Sequence, residues 1–357
     1  MAYGSTTAFR TSSLHQRFMP SVPDLHLCHC ADASVEPHLP SLFWSIARHT
    51  APPAPTVHFV CFGSDSGFPA RVASEAARHG LPCVTYWLGE LSASRFPHLQ
   101  TYNVGCQGNA AAFYGRWLLA ELLPSSLDRV IYLDTDLIVQ DDLRLLVDQL
   151  PEGVAVAAAP DMPFAACQQS TYFLFYRPHL RALGVSTRRG EVFNTGVLVL
   201  SLEVWRREAI ADQLIRGRDK ILAKGLSLRL QDQDVMNVVL AGSIHFLSPL
   251  WNVTPLYLPA NFLSDPGLGL AKILHFVTSP KPWIGDAWTN LPAQAVEIFL
   301  RTKAAGAPSS EESQSWLQAL ASYHVVTEDG SLILTPRRKR RLQKLLDVSK
   351  EPACATD

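Results

Sequence analysis

From Leu25 onward the chain alternates short apolar runs with segments of helical period, and this alternation restricts the fold more than any other feature. LHLCHCAD (25–32), TVHFVCFGS (56–64) and PCVTYWL (82–88) have strand length, while HLPSLFWSIARHT (38–50) and PARVASEAARHG (69–80), closed by Gly80, have helical spacing. Such a β-α-β-α-β order builds a mostly parallel sheet with helices on both faces, and ligands sit beyond the strand carboxyl ends. The spacing further predicts a helix over 112–124, strands at 129–133 and 154–161, and a strand then a helix in 192–217. A helix over 229–242 and strands within 244–252 and 271–276 complete a sheet of roughly seven or eight strands.

The 357 residues, 47% of them hydrophobic, suffice for one large domain and a small appendage. The expected division is a loosely ordered leader (1–22), a main domain (23–288) and a C-terminal extension (289–357). The extension should hold helices at 292–303 and 311–323, a hairpin around Asp329-Gly330, and a basic amphipathic helix at 336–346 with Thr335 as N-cap. With 31 basic and 32 acidic side chains, nothing global points to nucleic acid. Seven scattered cysteines read as reduced thiols, and His26, Cys28, His29 and Cys30 cannot converge because alternate strand residues face opposite sides. No apolar run reaches membrane-spanning length and the first 25 residues lack a signal-peptide core, so a cytoplasmic protein is expected. The leucine face and six cations of 336–346 could dock on the domain or lie on the inner face of an anionic membrane.

Within RVIYLDTDLIVQDD (129–142), Asp134 and Asp136 stand one residue apart where the apolar run ends. Carboxylates at i and i+2 at a strand end can converge on a hard divalent cation that keeps positions for substrate phosphate. Taken alone the pair reads first as a strand followed by a solvated acidic turn.

Three further segments follow YLDTD in order: FNTGVLVL (193–200), LQDQDVMN (230–237) and HFVTSPKPW (275–283). Together they resemble glycosyltransferase family 8, the retaining galactosyl- and glucosyltransferases that include lipopolysaccharide core enzymes and glycogenin, over residues 25 to 285. The resemblance implies a GT-A type, Rossmann-like nucleotide-sugar domain, α/β with a mostly parallel central sheet. It also implies hexose transfer from UDP-galactose or UDP-glucose to a glycan or glycolipid acceptor, with lipopolysaccharide biosynthesis as the setting.

By the same resemblance Asp134, Asp136 and His275 hold the metal, Mn²⁺ ahead of Mg²⁺ because imidazole joins two carboxylates. Lys281 contacts the diphosphate and Asp32 the uracil or ribose, while Arg116 lies near donor sugar or phosphate. Asp161, Asn194, Asp232 and Gln233 bind the hexose, and Asp232 and Gln233 are the catalytic candidates. Asp234 and Asn237 are structural. Because an amide is a poor nucleophile, Gln233 favours front-face attack over a double displacement.

Two positions depart from the family pattern. Asp32 is followed by Ala33, Ser34 and Val35, which supply no aromatic partner for uracil, and Thr278 replaces a glycine beside the diphosphate. These departures motivate an alternative, a catalytically inert UDP-sugar-binding scaffold. A haloacid-dehalogenase-like phosphatase also carries D-x-D after a strand, but Ile138 occupies the position of that family's usual hydroxyl.

Overall fold

A computed structural model describes residues 24–89, 110–161, 171–187, 192–255, 270–277, 281–285, 287, 291 and 293–323. The leader, Thr278, the hairpin around Asp329-Gly330 and the basic segment 336–346 lie outside the described residues.

The first three apolar runs form β1 (His26–Ala31), β2 (Thr56–Phe62) and β3 (Cys83–Gly89). Between them stand α1 (Leu39–His49) and α2 (Phe68–Arg78). Next come β4 (Arg129–Leu133), β5 (Leu137–Val139), β6 (Val156–Pro160), β7 (Phe193–Ser201), β8 (Ile244–Phe246) and β9 (Ile273–His275). Seven strands make one sheet in the order β3-β2-β1-β4-β7-β6-β8, in which β7 alone pairs antiparallel with its neighbours.

Strand β4 alternates Val130 and Tyr132 into one core and Ile131 and Leu133 into another, so both faces are covered and the strand reads as continuously apolar. His26, Cys28 and Cys30 face one side of β1: the two thiols enter the first core and His26 meets His58. His29 turns to the opposite face and packs on Phe43 and Phe59.

The chain winds outward through β1, β2 and β3, then returns to place β4 on the other flank of β1. That reversal opens a crevice at the carboxyl ends of β1 and β4. Since β7 runs antiparallel to β4, its start lies beside the end of β4, and Asp134 N–H donates to Gly196 O at 2.8 Å.

Several expected elements differ. The segment 271–276 does not join the main sheet: β9 pairs antiparallel with β5 in a separate two-stranded sheet, His275 opposite Leu137. Only Ile244–Phe246 of 244–252 is strand, because Ser248 caps a 3₁₀ turn at Pro249–Asn252. The helix expected over 112–124 is broken by a 3₁₀ turn at Arg116–Leu118, and 192–217 yields two helices separated at Ala209, whose φ is +50°. A helix at Thr171–Ala182 carried no prior signal.

The helices Ala293–Gly306 and Ser310–Tyr323 do not stand apart. Val296, Phe299, Leu300 and Leu320 share a third core with Ile138, Val253, Leu274 and Phe276, the strands that carry the acidic pair's neighbours.

Candidate active site at the carboxyl end of the fourth strand

Strand β4 ends at Leu133, and the turn to β5 presents Asp134 and Asp136 at the crevice. Because β9 pairs with β5, His275 arrives beside them: its Nε2 lies 3.6 Å from Asp134 Oδ2 and 3.2 Å from Asp136 Oδ1. One ligand atom from each of the three falls within 4.8 Å of the others, the sole such group of His, Cys, Asp or Glu among the described residues. Three facing lone-pair donors suit a borderline divalent cation, so these residues fit the expected metal.

Asp134 is held from below. Its Oδ1 accepts from Tyr132 Oη at 2.8 Å and from Arg116 Nη2 at 2.9 Å, which turns Oδ2 toward His275. Arg116 is itself buried, donating to Thr195 O and Phe113 O and lying 4.4 Å from the Tyr132 ring centre. It therefore sits beneath the carboxylates and reaches the site through them. Asp136 is flanked by Lys281, whose Nζ is 2.5 Å from Oδ2 and also donates to Phe276 O at 3.0 Å. Burial alone would raise Asp136, but the Lys281 ammonium and the His275 ring hold it well below the usual carboxylate range.

The expected sugar residues converge from three elements. Asp161 follows β6 and is tied to β7 through its N–H to Val192 O at 2.8 Å; Asn194 opens β7; Asp232 and Gln233 begin the helix Asp232–Val239. Gln233 is gripped at both ends, its Oε1 accepting from Thr195 N at 3.3 Å and its Nε2 donating to Asp161 Oδ2 at 3.2 Å.

Asp232 Oδ2 lies 3.2 Å from Arg116 Nε without hydrogen-bond alignment, so this buried oxygen has no donor. An orphaned buried carboxylate oxygen suits a ligand hydroxyl. Burial pushes Asp161 up to about 7 and Asp232 up to about 6.

Asp32 caps the turn Ala33–His38 at the end of β1, Oδ1 accepting from Ser34 N at 2.9 Å. Asp234 and Asn237 bond to the protein itself: Asp234 Oδ2 accepts from Leu230 N at 2.9 Å and lies 2.8 Å from His179 Nε2, while Asn237 pairs with both backbone groups of Phe193.

Several residues escaped the sequence reading. Asn252 Oδ1 lies 2.9 Å from His275 Nδ1, and Asn252 Nδ2 donates to Asn194 Oδ1 at 2.8 Å. The Ser-Pro start of its turn was legible, but nothing local marks an asparagine that supports a histidine 23 residues away. Gly196 has no room for a side chain: an added Cβ would lie 2.2 Å from His275 Cε1 and 2.9 Å from Asp134 Oδ2. Gln231, which precedes Asp232, has φ +53° and ψ −121°, a strained backbone of the sort that clusters at functional sites.

The family model described as glycosyl transferase family 8 matches residues 105–287. The chain is 28% identical over 247 residues to "Probable galacturonosyltransferase-like 8" of Arabidopsis thaliana, covering 67% of this chain and 61% of that protein. It is 25% identical over 237 residues to the lipopolysaccharide 1,2-glucosyltransferase of Escherichia coli K12, covering 64% and 63%. The chain thus spans about three fifths of the length of these relatives. Among solved structures, the galactosyltransferase LgtC in complex with donor and acceptor sugar analogues superposes with a TM-score of 0.60 at 21% identity, covering 82% of this chain and all of that one. That likeness, with the sheet order, gives the fold as GT-A type.

Proposed function

Because the chain belongs to glycosyl transferase family 8, we propose that it moves a hexose, galactose or glucose, from a UDP-sugar to a hydroxyl of a glycan or glycolipid with retention of anomeric configuration. The convergence of Asp134, Asp136 and His275 beside a separate cluster of Asp161, Asn194, Asp232 and Gln233 carries this reading. The first group suits a diphosphate with its counter-ion, and the second suits a polyhydroxylated ring. A divalent cation, Mn²⁺ ahead of Mg²⁺, would be held by Asp134, Asp136 and His275 and would offset negative charge gathering on the leaving UDP.

The chain's own groups do the rest. Lys281, a point charge held beside Asp136, would meet the diphosphate, and Asp32 would accept from uracil or ribose. Asp232 Oδ2, lacking a donor, takes one from a sugar hydroxyl, and Asp161 and Asn194 address others. Gln233, locked between Thr195 and Asp161, presents an amide near the anomeric carbon and stabilises its developing positive charge. The acceptor oxygen attacks from the face UDP leaves, its proton passing to the departing phosphate oxygen as the glycosidic bond breaks. A glycosyl adduct on Asp232 or Gln233 in intact-protein mass spectrometry would overturn that order of events.

The deciding experiment incubates the full chain with Mn²⁺ and UDP-galactose, UDP-glucose, UDP-galacturonate or UDP-xylose and measures UDP release. Slow Mn²⁺-dependent hydrolysis of the first two supports the reading. Tight UDP binding with no turnover would favour the inert scaffold that Thr278 motivated, and absence of UDP binding would end both.

The likeness to the E. coli lipopolysaccharide 1,2-glucosyltransferase supports a glycolipid acceptor of the lipopolysaccharide class. Among the described residues no helix is long and apolar enough to cross a membrane. We assign the basic segment 336–346 a peripheral contact with anionic lipid. Equal sedimentation of the full chain and a 1–335 truncation with acidic liposomes would remove that contact.

A further inference from the structure

We infer that Asn252 is a positioning residue that fixes the ring tautomer of His275, so that Nε2 offers a lone pair to a cation held with Asp134 and Asp136. This inference rests on the metal reading of that site. The chain of hydrogen bonds begins at a group whose polarity has only one sense. The backbone N–H of Gly196 can only donate, and it points at Asn194 Oδ1 at 2.8 Å, so that side-chain atom is the carbonyl oxygen.

The Asn252 atom 2.8 Å from the same oxygen must then be its NH₂ group, which turns the Asn252 oxygen toward His275. That oxygen accepts from Nδ1 at 2.9 Å, and a neutral imidazole protonated at Nδ1 has its lone pair at Nε2. Polarity thus passes from a β7 backbone amide through two asparagines to the ring atom that faces Asp134 and Asp136.

Burial makes the relay exclusive. Asn194, Asn252 and His275 are each at most 9% exposed, so water is poorly placed to replace a member. Asn252 is held by its turn, with Ser248 at the start and Val253 N–H bonded to Ile273 O at 3.0 Å at the end. Gly196 also contributes by omission, since a Cβ there would lie 2.8 Å from His275 Nδ1. The opposite tautomer would place an N–H between two carboxylates, satisfying them internally and competing with the cation. An oriented partner on the far ring nitrogen typically changes metal affinity by about 10- to 100-fold.

Two readouts test this on the full chain. Long-range ¹H–¹⁵N correlation at pH 8 on the metal-free protein, with His275 assigned through His275→Gln, should show Nδ1 carrying a proton in wild type and Nδ1 bare in Asn252→Leu. Free-Mn²⁺ electron paramagnetic resonance with UDP present should show Asn252→Leu binding Mn²⁺ about 10- to 100-fold more weakly.

Asn252→Asp, whose carboxyl group can be protonated on the Asn194 side, should keep the tautomer and most of the affinity. It serves as the foldable variant if the leucine does not fold. An Nε2–H tautomer in wild type or in Asn252→Asp, or an unchanged tautomer and affinity in Asn252→Leu, overturns the relay. Failure of wild type and His275→Ala to differ in Mn²⁺ binding would instead overturn the metal reading, and the tautomer measurement separates the two failures.

Discussion

Gly196 and Asp161 show how single positions govern the site. At Gly196 the nearest atoms to an added Cβ belong to His275 and Asp134, so alanine must displace one of them. Gly196→Ala is expected to cost about 1–3 kcal/mol in urea unfolding, the usual range for overpacking, and to weaken Mn²⁺ binding in the same preparation. Asp161 is buried with a pKa pushed up to about 7, above the roughly 4 of an unfolded aspartate. The folded state therefore binds a proton that the unfolded state has released. Its stabilising contribution is present below about pH 4 and is lost as pH rises through about 7. Asp161→Asn should accordingly raise the thermal midpoint of the metal-free protein more at pH 8 than at pH 5, and an equal effect at both would contradict the burial argument. The carboxylates themselves were legible in sequence. Asn252, Gly196 and the Tyr132 hydroxyl were not, because they act on partners that only the packed chain brings near.

At the scale of elements, the short β5–β9 ladder matters more than its size suggests. It brings His275 to Asp136, and its far side is sealed by the third core. The loop carrying Lys281 is anchored by Trp283, whose ring stacks on buried His38 at 4.3 Å, while His38 Nε2 meets Leu137 O at 2.9 Å. Trp283→Ala removes a stack worth about 0.5–1.5 kcal/mol. It should raise KM for the UDP-sugar more than it lowers kcat, because Lys281 loses its fixed base while the sugar cluster is untouched. Steady-state kinetics over a UDP-sugar titration checks this, and a fall confined to kcat would contradict it. The β-α-β-α-β start was readable because each element carries its own period and stops. The pairing of β9 with β5 was not, since three-residue strands look alike whichever sheet they join.

For the whole molecule, the C-terminal helices pack against the strands that carry the candidate site. Val296, Phe299, Leu300 and Leu320 cover Leu274 and Phe276 on either side of His275, and each large side chain so buried contributes about 1.5–3 kcal/mol. A chain ending at residue 291 should unfold at markedly lower urea than one ending at 323, and should lose Mn²⁺ affinity with it. Comparable midpoints for the two would show that the third core does not support the site. The amino-acid sequence by itself determined the sheet-and-helix plan, the family and the carboxylates, because local period and short ordered motifs need no distant partner to be read. Only the tertiary structure decided that Arg116 lies beneath the acidic pair, that His275 arrives on a separate two-stranded sheet, and that Asn252 sets the sense of its hydrogen bond. Burial, register and hydrogen-bond direction belong to pairs of residues far apart in the chain, and they take values only once the strands have paired.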